Sequence, residues 1–224
     1  MGPLSRLFLK KAGIRTGVAF WVKNWYSICI MGGYRSPSGA LRAIKHWGRR
    51  MMEFSILDGI QLLRTEWLDQ WMVWISSLGN AGAIWIVLAV VLLLIPKYRK
   101  AGIVMACALA LDLVLCNLAI KPLVARPRPY DLNPFMDYLI ARPHGWSFPS
   151  GHTAASFAAA SALLFSRCRL WIPCMVLAAL IGFSRLYLYV HFPTDVLCGA
   201  LLGAVCGGLA CWLVRFWEGR RARR

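Results

Sequence analysis

Carboxylates are scarce in this sequence. Its 224 residues hold nine Asp and Glu against 26 Lys and Arg, for a formal net charge of +17, and only four His. So few acidic side chains leave little from which to build a carboxylate metal centre. CxxC pairs are absent although there are eight Cys, so neither a zinc site nor a disulfide framework is signalled. Cys107, Cys116, Cys198, Cys206 and Cys211 fall inside apolar runs, where small packing residues are expected. Charge of either sign is missing over long stretches. Gln70–Pro96 and Val196–Val214 have none, and Ala101–Ile120 carries only Asp112. No internal repeat is visible.

What is present is apolar. Hydrophobic residues make up 59% of the chain and the mean hydropathy is +0.56, which excludes an ordinary soluble domain. A membrane span needs about 20 apolar residues. The three runs above meet this, and two shorter ones, Thr153–Ser166 and Leu170–Val190, the latter interrupted by Arg185, complete five. In lipid each must be helical, because an unpaired backbone group has no water to satisfy it. The expected fold is therefore all-α, a polytopic membrane bundle of five or six transmembrane helices.

The excess of cations invites a nucleic-acid reading, which their distribution excludes. Residues 1–50 hold ten Lys and Arg and no acid, the tail RFWEGRRARR holds five more, and others sit in short loops between apolar runs. That pattern suits the anionic inner face of a plasma membrane. The partners expected are a membrane and a lipid, with no nucleic acid. Three parts follow: a basic, aromatic-rich interfacial extension over 1–53, a membrane unit over 54–217 and a basic cytoplasmic tail over 218–224. The extension includes Gly17–Gly33 and His46, and residues 54–78, with Arg64, Glu66 and Asp69, read as an amphipathic helix along a surface. If the five spans alternate, Lys97–Lys100, Ser166–Arg169 and the tail share one side, which their positive charge makes cytoplasmic. The loops Lys121–Gly151 and Arg185–Asp195 then lie outside. An odd number of spans places the basic N-terminal region outside as well, so Gly17–Gly33 or residues 54–78 is open as a sixth crossing.

Three segments of that outer face carry polar chemistry. In KPLVARPRPY, Lys121, Arg126 and Arg128 stand on a loop stiffened by Pro127 and Pro129. In PSGHT, Ser150 and Gly151 precede a helix whose free N–H groups attract an anion, with the protonatable His152 beside them. In SRLYLYVHFPTDV, Arg185 is a costly charge in an apolar run, and Asp195 can hold one nitrogen of His191 and leave the other as nucleophile or base. Cations dominate, and only Asp131 and Asp137 add further carboxylates nearby, so the chemistry expected is phosphoryl transfer with no metal and no cofactor.

These segments resemble the three-part signature of the type 2 phosphatidic acid phosphatase superfamily: K-x6-RP, then PSGH, then SR-x5-H-x3-D. All three spacings match, over a resemblance running from about Ser55 to Val214. The small bacterial members associated with undecaprenyl diphosphate are the nearest in pattern. The resemblance implies a membrane lipid phosphatase domain over 54–217, working at the extracytoplasmic face. It implies His191 as the nucleophile forming a phosphohistidine, Asp195 as its orienting partner, and His152 as the acid and then the base. Lys121, Arg128, Arg185, Ser150 and Gly151 would cradle the phosphoryl oxygens. Arg126 and His144 lie outside the signature and are read as loop residues near a second phosphate. Tyr187, Tyr189 and Phe192 are read as packing or lipid-facing. Phosphatidate or phosphatidylglycerophosphate is the alternative substrate. The superfamily's vanadate-dependent haloperoxidases are soluble, unlike this chain, and a non-enzymatic lipid-binding or transport role would predict full function after His191→Ala.

Overall fold

In the computed structural model the chain divides into two compact units, Met1–Met51 and Met52–Arg224. The structure describes residues 51–133, 138–221 and 223. Gly17–Gly33, His46 and Asp137 lie outside the described residues.

The second unit is helical throughout its described residues, with no strand. Residues 52–61 form α1. Glu66–Leu78 (α2) and Ala83–Leu94 (α3) follow. Arg99–Asp112 (α4) runs on through a π-helical stretch, Leu113–Ile120, into a last α-turn, Lys121–Val124. After the short helix Pro129–Leu132 (α5) come Gly151–Phe165 (α6), Trp171–Tyr187 (α7) and Pro193–Arg221 (α8). The uncharged run Gln70–Pro96 is not one straight span. It is bent by 45° between α2 and α3, where Gly79–Gly82 breaks the ladder and Ala81 and Gly82 take positive φ of 51° and 68°. Residues 54–78 likewise do not form one surface helix: α1 ends at 61, and α2 packs against α7.

Two described helices are long and apolar enough to cross a membrane, three if the bent pair counts as one, and α6 and α7 are shorter apolar helices. At ~1.5 Å per residue the 15 residues of α6 span only ~22 Å. The outside of the bundle is apolar: Leu94, Leu118, Leu123, Leu197 and Leu201 are exposed. Trp67, Trp71 and Trp74 are exposed toward one end and Trp212 and Trp217 toward the other, as interfacial aromatics are. This is a membrane protein.

α6 is the central helix, packed against α8, α7 and α4. Ala154, Ala158, Ala159, Ala160 and Ala162 on it are fully buried. Small residues are what membrane helices use to bring backbones together, and α8 answers with Gly199, Gly203 and Gly207. A Cβ at Gly199 would stand 2.8 Å from Ser150 O, one at Gly207 2.8 Å from Ala162 N, and one at Gly203 would collide with Ala154 O.

The two ends of the bundle differ in chemistry. At one, Arg215 Nη2 of α8 donates to Phe165 O of α6 at 2.7 Å, and Lys100 of α4 meets Glu218 of α8 at 3.0 Å. The basic turns therefore gather there. At the other end lie Lys121, Gly151, Arg185 and Asp195, where α4 ends, α6 begins, α7 ends and α8 begins.

Candidate active site

A cavity of about 580 Å³ opens at that second end, lined by Lys121, Arg128, Gly151, His152, Arg185 and His191 from three separate segments. Each arrives by a local cause. Lys121 closes the π-helical stretch, its N–H reaching back to Cys116 O. Its Nζ donates to Asn117 Oδ1 at 2.8 Å. Gly151 opens α6, and a Cβ there would sit 3.0 Å from Lys121 Nζ, so glycine gives the helix start its close approach to the amine. Arg128 is buried, its guanidinium held by the carbonyls of Gly145 at 2.9 Å, Val190 at 3.2 Å and His144 at 3.4 Å. Arg185 is 2% exposed; Nη1 donates to Ser76 Oγ and Nε has no partner.

None of these three cations forms an ion pair with a carboxylate among the described residues. Cations buried or half-buried, held only by neutral dipoles and facing one cavity, are an arrangement completed by an anion.

His191 lies in the turn between α7 and α8, 2% exposed. Its Nε2 is 3.3 Å from Arg128 Nη1. A guanidinium only donates, so Nε2 is the unprotonated nitrogen and Nδ1 carries the hydrogen. Nδ1 is 3.4 Å from Ser147 Oγ and 3.7 Å from Asp195 Oδ2. Ser147 thus stands between imidazole and carboxylate, donating its hydroxyl to Asp195 Oδ2. Burial, helped by the charges of Arg185 and Arg128 and opposed by Asp195, pushes the His191 pKa down to about 3. The ring is neutral at ordinary pH, with its unprotonated nitrogen beside Arg128.

Asp195 and Ser150 lie behind the cavity wall. The N–H of Ser150 donates to Asp195 O at 3.0 Å, its Oγ accepts from Thr153 at 2.9 Å, and it is fully buried. It joins the start of α6 to α8, and its hydroxyl does not reach the cavity. Asp195 Oδ2 accepts the Phe192 N–H at 2.9 Å, and Oδ1 accepts from Arg126 Nη1 at 2.6 Å.

Arg126 does not line the cavity. Its other contacts are Thr194 Oγ1 at 2.7 Å, Glu53 Oε2 and the face of Phe192, 4.1 Å from the ring centroid. Thr194 also donates to Glu53. Arg126 is a clamp on Asp195, while His144 does line the cavity. Tyr187, Tyr189 and Phe192 are buried; Tyr187 donates to Asp69 at 2.6 Å and Tyr189 to Asp58 at 2.8 Å.

His152 faces the cavity from the first turn of α6, its Nε2 3.0 Å from Asn80 Oδ1. The α2–α3 bend makes this contact. Gly79 packs so closely that a Cβ would lie 2.9 Å from His152 Cδ2. Sequence reading missed Glu53, Ser76, Asn80, Asn117 and Ser147. Only Asn117, one helical turn before Lys121, carries a spacing that hints at a role.

Residues 97–219 match the PAP2 superfamily. An undecaprenyl-diphosphatase of Sulfolobus acidocaldarius is 36% identical over 140 residues, 61% of this chain and 66% of that protein, just under two thirds of its length. Phosphatidylglycerophosphatase B of Bacillus subtilis is 32% identical over 155 residues, 63% of this chain and 73% of that one. Among solved structures, LpxE of Aquifex aeolicus superposes with a TM-score of 0.62 at 31% identity, covering 70% of this chain and 93% of the other.

Proposed function

This chain belongs to the PAP2 superfamily, and on that premise we propose that it is a lipid phosphatase that uses His191 as its nucleophile. The observation that carries the reading is the cavity: three cations, Arg128 and Arg185 buried and Lys121 half-buried, without carboxylate partners among the described residues, and an imidazole whose unprotonated Nε2 lies beside Arg128. The cations take the phosphoryl oxygens and balance the charge that develops on them, which is most of what phosphoryl transfer asks of a protein. Nε2 of His191 attacks the terminal phosphorus, an N–P bond forms and the bond to the leaving oxygen breaks, the bridging oxygen in a diphosphate and the lipid oxygen in a monoester. His152 gives its proton to that oxygen. It then takes a proton from water, which attacks phosphorus, breaks the N–P bond and releases inorganic phosphate. Asp195, with Ser147 between, keeps the Nδ1 side of His191 turned away from the cavity. Asn80 orients His152.

Undecaprenyl diphosphate, in line with the name of the Sulfolobus relative, is one substrate reading. Phosphatidylglycerophosphate, in line with the Bacillus relative, and phosphatidate are the second reading. The apolar cavity wall, Ile86, Leu109, Leu113 and Ala155, supports a lipid in either case. The basic turns at the opposite end support an extracytoplasmic site. Phosphate release from these three lipids by purified protein in detergent, with a chelator present, tests the proposal. Release from at least one, with acid-labile phosphate trapped on His191, is expected. No release from any of them overturns the phosphatase reading, and activity abolished by the chelator overturns its metal-free form.

A further inference from the structure

Below the cations the cavity holds one more ionisable group. Asp112 lines it, is 2% exposed, and its Oδ1 has no hydrogen-bond partner. Its neighbours on the cavity wall include Leu109, Ala110 and Leu113. A carboxyl in such surroundings is costly without a partner.

Its position is not a by-product of ordinary helix geometry. Asp112 stands nine positions before Lys121 on the same helix. At ~100° per residue a regular α-helix would turn the two to opposite faces. The intervening Leu113–Ile120 stretch is π-helical. Its wider turn, ~4.4 residues, returns position 121 to the face of position 112. Asp112, Asn117 and Lys121 consequently line one cavity, with the carboxyl on the order of 10 Å deeper along the axis than the lysine.

A lipid whose phosphate sits among the cations would pass its first few backbone atoms along this face. We propose that Asp112 is a specificity determinant: it hydrogen-bonds a polar group, a hydroxyl or an ester carbonyl, on the lipid backbone just below the phosphate. A carboxyl accepts from a hydroxyl and, carrying its proton, donates to a carbonyl. A plain hydrocarbon chain offers neither and leaves Asp112 unpaired, and a site that leaves its own buried polar group unpaired discriminates against that ligand, so Asp112 selects the glycerolipid reading over the polyprenyl one. The inference rests on the lipid-phosphatase reading.

The test compares two phosphomonoesters, dioleoyl phosphatidate, with two ester carbonyls, and hexadecyl phosphate, with none. The wild-type protein prefers phosphatidate by kcat/KM. Asp112→Leu lowers that preference about tenfold, as the loss of one hydrogen bond to the ligand does, and Asp112→Asn, which keeps a donor and an acceptor, retains most of it. The dialkyl-ether analogue of phosphatidate gives a reading on the unmodified protein: its kcat/KM falls toward that of hexadecyl phosphate. A preference unchanged by Asp112→Leu, or a wild-type protein indifferent to all three lipids, overturns the inference while leaving the phosphatase reading in place. Failure to hydrolyse any lipid phosphate removes the phosphatase reading, and the inference with it.

Discussion

Arg126→Met separates a clamp from a substrate contact. The Arg126 side chain is 22% exposed and joins two carboxylates, Glu53 at 7% and Asp195 at 0%. Without the guanidinium, two buried negative charges are left with no cation between them. Breaking a buried pair costs about 3–5 kcal/mol, and because Arg126 is partly exposed the lower end applies, about 3 kcal/mol. For a protein of this size that is a drop in Tm of roughly 6–12 °C. Asp195 loses the anchor on Oδ1 and keeps Ser147 and the Phe192 N–H on Oδ2, so the imidazole it positions becomes less well aimed. A misplacement of this kind costs about 10²-fold in kcat. KM stays within about threefold, since Arg126 is not on the cavity wall. Thermal unfolding in detergent and phosphate release at saturating lipid read the two effects. Glu53→Gln should cost less, about 1–2 kcal/mol, and Glu53→Met should recover part of the stability lost by Arg126→Met, because the pair is coupled. A raised KM with kcat and Tm retained would refute the argument and return Arg126 to the substrate.

Three further predictions concern the histidines. His191→Ala should reduce phosphate release by more than His152→Ala, because in the proposed mechanism the first removes the covalent route and the second only acid–base help worth about 10²–10⁴-fold. In His152→Ala, slow breakdown should leave phosphorylated His191 detectable by acid-labile label. Stability should also fall as pH falls from about 6.5, the free imidazole value, toward 3. In that window the unfolded chain binds a proton at His191 that the folded one refuses, its pKa being held down to about 3. Melting curves between pH 7 and 4 on wild type and His191→Asn should differ in slope, the variant being the flatter; equal slopes would mean that another group sets the acid limb.

The bundle and much of the site were legible because charge inside an apolar chain is expensive. Lys121, Arg128 and Arg185 drew attention on that ground, and all three line the cavity. The partners that hold them did not. Ser76, Asn80 and Ser147 are neutral and come from distant parts of the chain, so no local spacing betrays them. Arg126 and Arg128 occupy matching Arg-Pro pairs, yet one grips Asp195 and the other flanks His191; which does which depends on the path of the loop. The 45° bend was hidden because charge counting passes over Gly79–Gly82, where glycine and positive φ, not polarity, break the helix. Asp112 was visible as a lone charge, but its side of the helix is set by a change of winding that residue identity does not announce.

The contact of α6 with α8 through Gly199, Gly203 and Gly207 reaches beyond packing. His152 rides on the first turn of one helix and Asp195 on the first turn of the other. Where two backbones touch, neither can slip along or roll against its neighbour without a clash, so the spacing of His152 from Asp195 is machined into the bilayer interior by residues that have no side chain at all. A methyl group added two turns away, at Gly203, would act on the chemistry as a wedge acts on a hinge.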